Sequence, residues 1–299
     1  MRLLQRLPGS AGFSLVERFG GDVPPYAILS HTWGSDEDEV TFSDLRQDRA
    51  KHVLGYSKLM FCSKQAATDN LGFFWVDTCC IDKNSSNELS EAINSMFKWY
   101  RNAKKCYVLL SDVAADGSLE DMSQQEWARL FRNSRWFQRG WTLQEMLAPE
   151  VVEFFAKDGR LLGNKTTLLQ ALNYRTQIPI SALQGSPLSR YSIDERISWM
   201  KNRQTKREED AAYSLLGLLG IHMTLLYGEG RDRALMRLRR KAERLLKNGG
   251  LAKPLASRAW SVPFQRNEEF IDRHCLNEVF QICCQPAGCA TLLGPAGVG

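Results

Sequence analysis

Four short apolar runs constrain this chain more than any other feature: YAILS (26–30), GFFWVD (72–77), CYVLLSD (106–112) and VVEFFA (151–156). Each is rich in β-branched or aromatic residues and almost continuously apolar. That pattern predicts strands covered on both faces, because a strand with one wet face would alternate. Helix signals lie between them. SSNE (85–88) reads as a capping box, with Ser85 accepting a free amide and Glu88 reaching back. Beyond it Leu89, Ala92, Ile93, Met96, Phe97, Tyr100 and Ala103 keep the spacing of one helical stripe. SQQE (123–126) opens a second helix, with Trp127, Leu130 and Phe131 inward. Strands alternating with helices predict an α/β fold with a parallel sheet.

The strand signal fades after residue 160. SIDE (192–195) and TKRE (205–208) read as further capping boxes, each before an apolar-periodic stretch. The run RDRALMRLRRKAERLLK (231–247) then stops at NGG (248–250), a natural helix end. A mainly helical second half is therefore expected, packed on the sheet. The organisation reads as a lead-in over 1–25, an α/β core over 26–160, a helical extension over 161–247 and a linker over 248–262. Residues 263–299 end in CATLLGPAGVG, an apolar strand running into Gly294-x-x-x-x-Gly299. This is the front half of a phosphate-binding loop, in which Gly294, Gly297 and Gly299 would cradle a nucleotide. Lys and Ser or Thr should follow, so the segment is expected to be the start of a nucleotide-binding module; the alternative is a coincidental Gly-rich tail.

Several function classes are set aside. The net charge of +5 is concentrated in 231–247, a run that reads as the solvated face of a helix. No nucleic-acid-binding signature accompanies it, so no nucleic-acid partner is expected. Arg6 and Pro8 interrupt the N-terminal apolar residues, which argues against a secretory signal. LLGLLGI (215–221) falls far short of the roughly 20 residues of a membrane span. Eight cysteines show no CxxC pair and no metal-ligand spacing. Free thiols, no metal site and a reducing, cytoplasmic location are expected.

Candidate site residues cluster where parallel sheets place their ligand crevices, at strand ends. SHTWG (30–34) follows the first strand, DTCCID (77–82) ends the second, and RGWTLQE (139–145) comes after the third strand and its helix. His31 is either an acid–base group or a hydrogen-bonded structural residue. Asp77 and Asp82 either hold a ribose or metal, or cap the turn that follows. If 141–148 is helical, Leu143, Met146 and Leu147 face inward, while Trp141 and Glu145 lie four apart on the opposite side. A tryptophan beside a carboxylate suits a flat ring stacked near a sugar. The other reading covers Trp141 with a partner or a neighbouring loop and leaves Glu145 in water. No Gly-rich fingerprint follows the first strand, so a dehydrogenase-type dinucleotide site is not expected.

Taken together, YAILSHTWG, EVTFSDL (39–45), WVDTCCIDK (75–83), RNAKKCYVLLSD (101–112) and SRWFQRGWTLQEMLAP (134–149) resemble the fungal heterokaryon incompatibility (HET) domain. RISWMKNRQTKREEDAAYSLLGLLGIHMTLLYGEG (196–230) is similar to the segment that follows it in such proteins. The tail resembles the start of an NB-ARC or related signalling NTPase, the downstream partner module in fungal NOD-like receptors. The resemblance implies an effector of regulated cell death after non-self recognition, with self-association. HET domains are also distantly similar to TIR domains, which share a flavodoxin-like sheet and carry Ser, Trp and Glu in that order. Here Ser134, Trp136 or Trp141, and Glu145 follow that order. By this resemblance Glu145 is catalytic in cleaving the nicotinamide–ribose bond of NAD, with NAD as substrate and no cofactor required. Ser30, His31, Trp33, Asp77, Asp82, Arg139 and Trp141 would line the substrate cleft. The alternative function is a non-enzymatic module that signals by self-assembly.

Overall fold

In the computed structural model the described residues are 1–7, 12–113 and 124–248, with backbone alone for 124–128. Gly294, Gly297 and Gly299, the 248–262 linker beyond residue 248, and the cap residue Ser123 lie outside them.

Seven strands form one sheet in the order β2-β1-β4-β3-β5-β6-β7. They are β1 (Arg2–Arg6), β2 (Phe13–Glu17), β3 (Tyr26–His31), β4 (Phe73–Trp75), β5 (Lys105–Leu110), β6 (Val152–Ala156) and β7 (Leu161–Asn164). The inner four, β4-β3-β5-β6, pair in parallel and correspond to the four apolar runs. Counted among themselves they follow the order 2-1-3-4 of flavodoxin-like sheets, which places a topological switch at the carboxyl end of β3. Every residue of β3 is buried, as expected for a strand with helices on both sides.

The edges were not legible. Residues 2–17 form an antiparallel hairpin whose β1 also pairs with β4, and β7 returns antiparallel on β6. FSLVE (13–17) and LLGN (161–164), the two edge strands, and RLLQR (2–6) beside the first are short and half-polar, so none carries the continuous apolar signal.

Helix starts follow the caps in part. Ser85 and Ser192 each accept the backbone N–H of the glutamate three residues on, opening the helices Ser86–Asn102 and Ile193–Ser198. Glu88 does not complete the expected box. Its carboxylate instead accepts the N–H of Asp82 at 2.8 Å and pairs with Arg2, tying the hairpin to the turn after β4. TKRE (205–208) opens no helix; the chain there is irregular, and helix resumes at Asp210–Tyr213. The local pattern loses to a long-range one, because Gln204 pairs with the RGW segment described below. The basic run forms the helix Arg231–Lys247, which buries Ala234, Leu238 and Ala242 and turns most of its cations outward. No helix among the described residues is long and apolar enough to cross a membrane. Cys62, Cys79, Cys80 and Cys106 are free and buried in the core, where burial pushes the thiols of Cys62, Cys79 and Cys106 up.

Candidate functional site

The RGWTLQE segment is anchored on three sides. Ser134 binds Asp112 at 2.8 Å and caps the turn Arg135–Gln138, fixing the approach from β5. Gly140 donates its N–H to the carbonyl of Gln204 at 2.8 Å, and Gln204 donates to the carbonyl of Gln138 at 2.6 Å. A Cβ on Gly140 would stand 2.4 Å from Met200 Cε and 2.5 Å from Thr205 Cγ2, so a side chain there would have to displace both. Beneath it Arg203, only 4% exposed, donates to the carbonyl of Arg139 and to Thr142 Oγ1, each at 2.8 Å. Burial, with Arg175 nearby, brings the Arg203 guanidinium down to about 9 against the pull of Glu145.

This anchoring corrects the expectation for Glu145. The helix Thr142–Leu147 has no wet side: all six residues are buried, Glu145 at 8% exposure. Spacing sets Trp141 and Glu145 apart from Leu143 and Met146, yet Glu145 is buried like them and the Trp141 indole is tied to Asp210. The carboxylate turns toward the sheet, where Ser30 Oγ donates to Oε2 at 2.5 Å and the Trp136 indole N–H donates to Ser30 Oγ at 2.7 Å. The serine in contact is thus Ser30 at the end of β3, not Ser134, and the indole is that of Trp136, not Trp141. Burial drives the Glu145 carboxyl up to about 8; Ser30 pulls it down, Asp77 pushes it further up, and Arg139 and Arg203 pull it down. Removing the hydroxyl in Ser30→Ala removes the largest of the lowering influences. The carboxyl of Glu145 should then titrate above its wild-type position, a shift readable by NMR of 13C-labelled glutamate; no upward movement would contradict this geometry.

Glu145 faces a cleft with about 490 Å³ of space outside the carboxyl ends of β3 and β4. His31, Trp33, Asp77, Arg139 and Trp141 all reach its wall, so the structure brings together six of the residues singled out from sequence. Ser30 lies just beneath, fully buried. Asp82 does not reach the wall; it accepts the N–H of Asn84 at 3.0 Å and caps the turn, the structural alternative for this residue. Asp77 accepts the Trp33 indole N–H at 2.8 Å, and the Lys83 ammonium lies 3.7 Å from the Trp33 ring centroid. Trp141 is covered by the second half of the chain: its indole N–H donates to Asp210 Oδ2 at 3.1 Å, and Tyr227 OH donates to Oδ1 at 3.0 Å. Burial raises the Asp210 carboxyl against both hydrogen bonds.

Sequence reasoning missed Glu39, which with His31 forms the back of the cleft. His31 Nε2 stands 3.4 Å from Glu39 Oε2, and Nδ1 stands 3.9 Å from Asp77 Oδ1. Glu39 is also paired with Lys58 and accepts the Gly34 N–H at 2.6 Å. Burial alone would raise Glu39, but His31, Lys58 and the Gly34 amide outweigh it and hold the carboxylate at about 2. Lys206, Arg207, Asp210 and Tyr227 were missed as well. All of these stand inside the blocks EVTFSDL and RISWMKN…YGEG, so ordered family blocks carried a signal that strand-end logic did not.

A family model described as "Heterokaryon incompatibility protein (HET)" matches residues 26–131. The chain is 52% identical over 241 residues to Vegetative incompatibility protein HET-E-1 of Podospora anserina, an alignment covering 81% of this chain and 18% of that protein. The chain is a HET-domain protein. It spans less than a fifth of the length of that HET relative. No solved structure matches this HET-domain chain. Within it, the matched segment supplies His31, Trp33, Glu39, Asp77 and Lys83, while Glu145, Arg139, Lys206 and Arg207 come from beyond residue 131.

Proposed function

We propose that this HET domain acts in heterokaryon-incompatibility cell death by hydrolysing NAD at the nicotinamide–ribose bond, releasing nicotinamide and ADP-ribose. The observation that carries the reading is Glu145, a buried carboxyl held by Ser30 and Trp136 and turned into an open cleft. A group kept near 8 by burial has its charge state decided by what enters the site. The nicotinamide ring of NAD is a cation, and its arrival favours the ionised carboxylate. That carboxylate then stabilises the oxocarbenium-like charge that develops at the ribose as nicotinamide leaves and water attacks. Leu89, Ile93 and Met96 on the helix Ser86–Asn102 give the cleft an apolar side for a flat ring.

The test measures nicotinamide release by the purified full chain, forced to oligomerise, as wild type and as Glu145→Gln. Release should fall by about a hundred-fold or more in the variant. Wild-type kcat/KM should rise with pH toward about 8, as free Glu145 ionises. Equal release from both proteins defeats the proposal. Killing by Glu145→Gln, with no release from either protein, would favour a non-enzymatic assembly instead.

A further inference from the structure

Beside the cleft lies a second cavity of about 300 Å³, whose wall shares Trp33, Arg139 and Lys206 with it. The two differ in charge. Asp36, Glu39, Asp77, Glu145 and Asp210 give the cleft its carboxylates, among which stand Lys83 and Arg207. The groove wall holds the cations Arg135, Arg139 and Lys206 and no carboxylate; its remaining polar groups include Gln138, Gln204 and Thr205. Arg135 leans toward Asp112 at 3.7 Å, and Lys206 pairs with Asp36 across the mouth at 2.5 Å, both from outside the groove wall. Arg139 is different. Its carbonyl is fixed by Arg203 and Thr142, at 2.8 and 2.9 Å, yet its guanidinium makes no hydrogen bond or ion pair with the described residues. A guanidinium at the partition of two cavities, near Glu145 but with its donors free of hydrogen bonds to the described residues, is a fork suited to a phosphate.

From this charge separation we infer that cleft and groove form one bipolar site for a dinucleotide, with Arg139 at its diphosphate. A cationic ring enters the carboxylate end, the diphosphate lies at Arg139 and Lys206, and the second nucleoside occupies the groove. There the amides of Gln138 and Gln204 and the hydroxyl of Thr205 can meet base edges or ribose hydroxyls. Each cavity alone is at the small end for a ligand site, roughly 300–1,000 Å³, and a two-part molecule uses both. The inference rests on the NAD reading and extends it to the half of the molecule that does not react.

Titration calorimetry on the full chain carrying Glu145→Gln measures binding without turnover, using ADP and nicotinamide riboside as probes. ADP should bind, and binding should weaken as salt is raised. Adding Arg139→Gln should weaken ADP about ten-fold or more, while nicotinamide riboside, which lacks phosphate, changes less than about two-fold. Lys206→Glu, at an exposed position, provides a second variant and should weaken ADP as well. Absence of ADP binding, or equal ADP affinity with and without Arg139, overturns the inference. Arg139-dependent ADP binding in a chain that releases no nicotinamide supports the bipolar site and removes only the reaction. Nicotinamide release with ADP affinity indifferent to Arg139 removes only the bipolar site.

Discussion

Glu145→Gln should unfold at a higher temperature than the wild type, with a gap that widens as pH rises from about 4.5 to about 8. The sign follows from proton counting. In the unfolded chain Glu145 loses its proton near the ordinary value of 4.5, whereas in the folded chain it keeps it until about 8. Between these limits the folded state binds more protons than the unfolded state. Stability due to the neutral carboxyl is therefore complete below 4.5 and is lost as pH rises through 8. At about 1.4 kcal/mol per pH unit the ceiling is on the order of 4–5 kcal/mol. Glutamine keeps the shape and an acceptor for Ser30 but cannot ionise, so it escapes this loss. Thermal unfolding of both proteins at pH 5 and pH 8 tests the point; a gap that is flat or narrows with pH would show that Glu145 is not buried in this way. A position that costs the fold stability at working pH fits a group retained for activity.

A second large effect is expected at Gly217→Ala. A Cβ there would stand 2.0 Å from Phe97 Cβ and 2.3 Å from its Cγ, where the helix Leu216–Leu219 meets the helix Ser86–Asn102. Those atoms are the root of the Phe97 side chain, so no rotamer change relieves the clash and the helices must move apart. Overpacking of this kind costs about 3 kcal/mol, against at most about 1 kcal/mol gained from alanine in a helix. The melting temperature should fall by about 6–12 °C. The displaced helix carries Ile93 and Met96 into the cleft, so ligand affinity should fall with it. A neutral or stabilising Gly217→Ala would mean that propensity wins and that the two helices are not in this contact.

What could be read beforehand follows the range of the interactions involved. The parallel strands were legible because burial on both faces writes an unbroken apolar run. The hairpin of residues 2–17 was not, because RLLQR and FSLVE are half-buried strands at one side of the sheet, joined to it only through the pairing of RLLQR with β4. Strand-end reasoning found His31, Trp33 and Asp77, since topology alone carries them to one place. It overreached at Asp82, five residues beyond Asp77 and already in the next turn. The surroundings of Glu145 were hidden for a different reason. Its helix faces could be drawn from spacing, but what covers each face is set by Ser30, Arg203 and Gln204, each more than fifty residues away. TKRE misled for the same reason: a local cap signal gave way to the pairing of Gln204 with Gly140.

The pairing of Gly140 with Gln204 also decides how this protein can be divided. Residues 26–131 carry the family match, but a fragment cut there would retain β3, β4 and β5 and lose Glu145, Trp136 and the wall from Lys206 to Tyr227. Such a fragment would expose Phe74, which pairs with Leu4 and packs on Phe13 of the hairpin of residues 2–17, and would be prone to aggregate rather than to bind. A piece that keeps every residue of the cleft wall spans at least His31 to Tyr227, together with the hairpin of residues 2–17 that pairs with β4.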